Sequence, residues 1–234
     1  MELYKEKLKE IENIPILHNK ALHHVFEHRL VNDFDLWLEF GTYDGRSINK
    51  ISRYTNRQIF GFDSFEGLPE EWVGRGFPKG CFDLGGAQPN FNPEGFFVYD
   101  NVKLIKGWFN ESIPVFLENF DKPISFLHID CDIYSSTKDI FNTLYANIQN
   151  GCVIVFDEMF DYNNFQEHEW RAWWEFVEER NIKFEWIGCN LGNVIIDNGI
   201  TPKFGAGTPS EHVPLSPSSE NAAVKIINNP SYKF

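Results

Sequence analysis

The spacing of apolar and polar positions changes near residue 35. Before it, Leu3, Ile11, Ile14, Leu17, Leu22, Phe26 and Leu30 recur among charged residues at an interrupted helical spacing. Pro15 splits that stretch in two, because a proline inside a helix removes a hydrogen bond and clashes with the preceding turn. Residues 1–34 therefore read as a helical N-terminal cover. From Asp35 onward short apolar runs alternate with amphipathic stretches, the pattern of a mostly parallel sheet with helices on both faces. Strands are expected near 35–40, 58–63, 102–106, 125–130, 151–157, 184–189 and 192–197, with helices over 47–54, 113–119, 135–148 and 167–180. The last helix carries Trp170, Trp173, Trp174 and Val177 on one face, which suits packing against the sheet. Asn190, Leu191 and Gly192 separate the final two strands, a turn short enough only for an antiparallel hairpin. The expected fold is α/β, a doubly wound Rossmann-like sheet of seven strands over residues 35–200, closed by that hairpin.

Two stretches escape the alternation. Residues 67–97 are rich in glycine and phenylalanine and too long for an ordinary connection, so they read as a lid insertion. Residues 201–234 are rich in Pro, Ser, Gly and Asn, with little apolar content until VKII at 224–227. That tail reads as mobile or as docked on a neighbouring subunit, which leaves a homo-oligomer open.

Composition narrows the partners. At 234 residues the chain suffices for one substantial domain, and 23 Phe, 8 Tyr and 7 Trp give its core bulk. A net charge of −13 with no basic stripe argues against nucleic acid, whose binding depends on clustered Lys and Arg. Cysteines at 81, 131, 152 and 189 form no C-x-x-C pair, as expected of free thiols in a reducing cytosol. The N-terminus lacks an apolar signal core, and no apolar run reaches the roughly 18 residues of a spanning helix. The expectation is a soluble, cytoplasmic protein with no membrane partner.

Acidic residues at strand ends carry the candidate chemistry. Glu39 in LWLEFGTYDGRS and Asp63 in IFGFDSFEGLP lie 24 residues apart, about one strand-helix-strand unit, so their strands can end side by side. Ligands of open α/β sheets bind at those strand ends. The turn Gly41-Thr42-Tyr43-Asp44-Gly45 lacks the middle glycine of a dinucleotide fingerprint, and Asp44 would repel a phosphate, which disfavours a nicotinamide-dependent dehydrogenase. S-adenosylmethionine, with an ammonium, a sulfonium and a ribose diol, suits two carboxylates better. A second acidic group follows two later strands: Asp130 and Asp132 in HIDCDIYSST, and Asp157 and Glu158 in VIVFDE. Neighbouring parallel strands lie about 4.8 Å apart, which places Asp130 and Asp157 to converge. Convergent carboxylates suit a hard cation such as Mg²⁺ or Ca²⁺, and Mg²⁺ with open positions lowers the pKa of a bound hydroxyl. In the blander alternative Asp132 caps the next helix and Asp157 merely ends a strand. Among the histidines, His23, His24 and His28 read as surface or packing residues and His128 as a strand residue. His168 is the one at the strand-tip face, a candidate acid-base group.

The segments EFGTYDGRS, FGFDSFEGLP, IKGWFNESIP, HIDCDIYSST and GCVIVFDE, in this order, resemble the macrocin O-methyltransferase family of class I S-adenosylmethionine-dependent methyltransferases, over roughly residues 35–198. The resemblance implies methyl transfer to a hydroxyl of a small molecule, sugar hydroxyls of antibiotics being the known case, with S-adenosylmethionine and Mg²⁺ as cofactors. It implies that Glu39, Phe40, Gly41, Thr42 and Ser47 surround the methionine portion and that Asp63 and Ser64 hold the ribose. Gly107, Trp108 and Phe109 would lie along the adenine. Asp130, Asp157 and Glu158 would hold the metal, with Asp130 or Asp132 nearest the reacting hydroxyl. Glu158 stands where the family usually has a second Asp, and the segment between Gly67 and Tyr99 does not match closely. Two alternatives remain on the same fold: a metal-independent methyltransferase acting on nitrogen or carboxylate, and a binding protein without turnover.

Overall fold

Leu36–Phe40 forms β1, buried at every position. That is why the run reads as continuously apolar rather than alternating, since a central parallel strand is covered on both sides. The structure is a computed structural model and describes residues 6–85, 97–190 and 220–234. The other parallel strands are β2 (Ile59–Asp63), β3 (Val102–Lys106), β4 (Ile124–Ile129) and β5 (Ile148–Phe156); β6 (Lys183–Cys189) and β7 (Ala222–Asn228) run antiparallel to their neighbours. Their spatial order is β3-β2-β1-β4-β5-β7-β6. The helices are α1 (Ala21–Glu27), α2 (Arg46–Ser52), α3 (Phe109–Phe120), α4 (Tyr134–Leu144) and α5 (Glu169–Arg180).

Side-chain alternation along the strands divides the core. Leu36, Leu38 and Phe40 of β1 join Leu127, Ile129, Ile154 and Phe156 on one face, packed by Ile113, Phe116, Ile140, Phe141, Trp170 and Trp173 from α3, α4 and α5. Trp37 joins Phe126, Val153 and Val155 on the other face, under Ala21, Val25 and Phe26 of α1 and Ile48 and Ile51 of α2. The Trp170, Trp173 and Trp174 face of α5 is therefore core, as its spacing predicts.

The N-terminal cover comprises a 3₁₀ turn at Leu8–Asn13 and α1. Between them the chain is extended at Pro15 and bridges the end of β6, where Leu17 N–H donates to Cys189 O and Cys189 N–H to Pro15 O, both at 2.8 Å. Pro15 thus ends one helical piece and begins an edge contact.

The closing strand departs from expectation. The antiparallel partner of β6 is β7 at 222–228, inside the stretch read as a tail, and the strand expected at 192–197 lies outside the described residues. β7 fits between β5 and β6 because Ala222, Ala223 and Val224 present small or branched side chains to both faces, all fully buried. A short VKII run looks insufficient for a strand until the alanines before it are counted. Within the expected lid, residues 64–85 are folded in by the bridges Glu66↔Asp83 and Trp72↔Phe77, while 86–96 lie outside the described residues. Leu68 and Trp72 of this insertion, and Phe65 just before it, are buried and pack it against the domain, while residues 76–80 are exposed. At Gly74 (φ +99°) the insertion comes so close to Asn163 that a Cβ would strike its carbonyl oxygen.

Candidate active site

A cavity of about 770 Å³ opens at the carboxyl ends of the parallel strands, the position that ligands take in open α/β sheets. Gly41, Thr42, Ser47, Asp63, Ser64, Gly107, Trp108, Phe109, Asp130, Asp132, Asp157 and Glu158 all border it. Of the residues singled out from sequence, Glu39, Phe40 and His168 do not. Phe40 faces the core, stacked on Phe62 at 4.7 Å between ring centroids, so only its main chain is near the turn. Glu39 lies behind the wall against His128, as described below.

One half of the cavity is built from the ends of β1, β2 and β3. Gly41 (φ +89°) packs so closely on the main chain of Asp130 that a Cβ would collide with its carbonyl oxygen, which explains a glycine here. Asp63 ties the first two turns together: its Oδ2 accepts Tyr43 N–H and its Oδ1 accepts Phe65 N–H, each at 2.7 Å. Burial pushes the Asp63 carboxyl above its usual range, while those backbone donors favour the ionised form. Tyr43 (φ +44°) and Phe65 (φ +56°) hold left-handed backbone conformations beside it, as strain often concentrates around a site. Ser64 Oγ accepts Glu66 N–H at 3.1 Å and shapes the same turn.

Glu39 and His128 sit opposite each other in the β1–β4 register. His128 Nδ1–H donates to Glu39 Oε1 at 2.7 Å, and both side chains are 1% exposed. Glu39 Oε2 and His128 Nε2 are buried without a hydrogen-bond partner among the described residues. Burial raises the Glu39 carboxyl, and the hydrogen bond from His128 opposes that. The ring of His128 borders the cavity.

The other half is strongly acidic. Oxygens of Asp130, Asp132 and Glu158 lie within 4.8 Å of one another. The expected trio had Asp157 in the place of Asp132. Asp157 Oδ1 lies 4.0 Å from Lys20 Nζ, yet its charge is the largest acting on each of the three, and Asp132 has a left-handed main chain (φ +71°). Nor does Asp132 cap α4, whose N-terminus has no side-chain cap. Burial, then the charges of Asp157 and Asp132, drive the Asp130 carboxyl well above its ordinary value. Glu158 is raised by burial and by Asp157, Asp130 and Asp132, and its Oε2 has no hydrogen-bond partner among the described residues. Asp132 is pushed up to about 7 by burial and Asp157, with Arg75 opposing. Carboxylates so crowded and so poorly satisfied have the chemistry to hold a hard dication such as Mg²⁺ or Ca²⁺.

Sequence reading missed three contributors. Glu169 on α5 is fully buried beside this group, raised by burial and by Asp132 and Asp157, and neither of its oxygens makes a hydrogen bond of ordinary geometry. Its place four residues before Trp173, on the buried face of the helix, was a usable signal. Arg75 borders the cavity, pairs with Glu220, and lies over the rings of Tyr162 (4.7 Å) and Trp72 (5.2 Å). Glu220 had no signal, since it lies in the stretch read as a tail. His168 is not at the site: burial depresses it, and its Nε2–H donates to Val73 O at 2.8 Å, so it anchors the 64–85 wall.

The thiols of Cys131, Cys152 and Cys189 are buried and Cys81 is half-buried, and all four are free. No helix among the described residues is long and apolar enough to cross a membrane.

Residues 86–191 match the family model described as Macrocin-O-methyltransferase (TylF). No curated protein sequence matches the chain. Among solved structures, a calicheamicin methyltransferase, CalS11, superposes with a TM-score of 0.58 at 21% identity, covering 87% of this chain and 76% of that one. The O-methyltransferase NovP superposes at 0.53 with 18% identity, covering 89% and 77%. An O-methyltransferase from Bacillus cereus in complex with SAH superposes at 0.50 with 14% identity, covering 97% and 91%. The structural likenesses agree with the seven-stranded sheet and its antiparallel end, and over residues 86–191 the sequence is similar to the macrocin-O-methyltransferase family.

Proposed function

We propose that this chain transfers the sulfonium methyl group of S-adenosylmethionine to a hydroxyl of a small molecule, a sugar or another natural-product alcohol, with Mg²⁺ held by Asp130, Asp132 and Glu158. The observation that carries the proposal is the convergence of those three carboxylates in the same cavity as Asp63 and the Gly41–Ser47 turn. A cofactor-sized space and a cation site share one wall. The family match and the names of the calicheamicin and NovP methyltransferases support the hydroxyl acceptor, and the SAH complex of the Bacillus cereus neighbour supports the donor.

In this reading the β1–β3 half binds the donor. The turn from Gly41 through Thr42 to Ser47 encloses the amino-acid arm, Asp63 and Ser64 take the ribose hydroxyls, and Gly107, Trp108 and Phe109 flank the adenine. Asp63 accepts two backbone N–H groups and still has lone pairs for a diol. The β4–β5 half handles the acceptor. Bound Mg²⁺ would act as a Lewis acid that makes the acceptor hydroxyl more acidic. A carboxylate of this cluster left off the cation would take the hydroxyl proton as general base. The Trp72–Arg75 wall encloses the acceptor side, and most of the rate advantage would come from holding the nucleophile in line with the methyl group. Methyl transfer to a sugar-bearing acceptor should require Mg²⁺ and stop in excess chelator. Full turnover in chelator would overturn the metal part of the proposal and favour a metal-independent methyltransferase.

A further inference from the structure

The Glu39–His128 pair is the least explained polar feature of the cavity. Sequence resemblance gives the contact with the donor's methionine portion to Glu39, yet Glu39 does not border the cavity and His128 does. The two are fixed opposite each other by the β1–β4 register, both 1% exposed, with Nδ1 and Oε1 2.7 Å apart. With Glu39 ionised and the ring neutral, Nδ1 carries the proton of that hydrogen bond and Nε2 is an acceptor. Nε2 is buried and lacks a partner among the described residues. A ring nitrogen of His128 and one oxygen each of Glu39 and Asp130 lie within 4.8 Å of one another, and Asp130 also borders the cavity. An orphaned buried acceptor beside a carboxylate calls for a small cationic group with several N–H donors. A primary ammonium meets that description, whereas a ribose hydroxyl would leave the charge of Glu39 and Asp130 unanswered.

We infer that His128, rather than Glu39, contacts the α-ammonium of the methyl donor, accepting an N–H at Nε2, and that Glu39 is a positioning residue acting through the imidazole. This rests on the donor assignment proposed above. Neighbouring strands fit such a role: the residues level with His128 are Glu39 on β1 and Val155 on β5, so the pair is a polar exception at the top of an otherwise apolar layer. Ser47 also favours the ionised form of Glu39 and joins the pair to the Gly41–Ser47 turn.

The test compares two ligands by calorimetry: S-adenosylhomocysteine, which carries the amino-acid arm, and S-methyl-5′-thioadenosine, which lacks it. His128→Leu and His128→Val should each weaken S-adenosylhomocysteine about 10- to 100-fold, the range of a hydrogen bond to a charged group, and leave the thioadenosine within about threefold. Glu39→Gln keeps an oxygen to accept from Nδ1 and should lose less than either His128 variant; combined with His128→Leu it should add little. The inference is overturned if both ligands weaken together in the His128 variants, the mark of a packing role, or if neither weakens. A larger loss in Glu39→Gln than in His128→Leu would also overturn it by making Glu39 the direct contact. Absence of binding of either ligand to the unmodified chain would instead strike the donor assignment, and the role of His128 with it.

Discussion

The two halves of the cavity hold carboxylates in opposite ways. On the β1–β2 side, Asp63 accepts backbone N–H groups with both oxygens and Glu39 accepts the His128 N–H, so these side chains are fixed before any ligand arrives. On the β4–β5 side, Asp130, Asp132 and Glu158 crowd together, and Glu158 Oε2 has no hydrogen-bond partner among the described residues. The first half is preorganised for a ligand that brings donors. The second is destabilising until something brings positive charge, because each buried carboxylate raises the others. The difference teaches that acidity at a strand tip does not specify a role; what the oxygens already touch does.

Substitution on the acidic side should break this contrast most sharply. Glu158→Gln is expected to lower Mg²⁺-dependent turnover by roughly two orders of magnitude, since it removes one of three cation ligands, while Asp157→Asn, beside Lys20 and outside the trio, should cost about tenfold or less. Steady-state rates with saturating donor measure the ordering. Equal losses would return Asp157 to the ligand set.

A smaller effect concerns stability against pH in metal-free protein. The Asp132 carboxyl is raised from 3.8 to about 7 in the folded state, so between those values the folded chain holds a proton that the unfolded chain has released. Stability should therefore fall as pH rises from about 4 through about 7. Added Mg²⁺ should restore it, more strongly at about pH 8 than at about pH 5, because the ligands must be ionised to bind. Thermal melts with and without chelator measure this, and a Mg²⁺ effect that does not grow with pH would count against the cluster as a cation site.

Smaller still is the effect of His168→Ala, which removes the hydrogen bond to Val73 O in the 64–85 wall. It should cost about 1 kcal/mol in a urea titration, with little change in donor affinity.

Much of this arrangement could be read from the chain because its signals are local. The strands at 36–40 and 59–63 announce themselves as apolar runs, and Glu39 and Asp63 at their ends follow directly. What could not be read depends on distant partners. β7 is a strand only because β5 and β6 flank it, and its two alanines carry no strand signal alone. Asp132 stands in the acidic trio where Asp157 was expected, and its left-handed main chain is a backbone choice that residue identity does not reveal. His128 looked like an ordinary strand residue until the register put Glu39 beside it. Glu169, by contrast, was legible from its helix face and was missed because the tryptophans dominate that face.

The most direct test of the division of labour is a crossed calorimetric titration. S-adenosylhomocysteine and Mg²⁺ would each be titrated into the Asp63→Asn and Glu158→Gln variants. The two-half account predicts that Asp63→Asn weakens S-adenosylhomocysteine about tenfold or more with Mg²⁺ affinity nearly intact, and that Glu158→Gln does the reverse. Loss of both ligands in either variant, or loss of neither in Glu158→Gln, would contradict it.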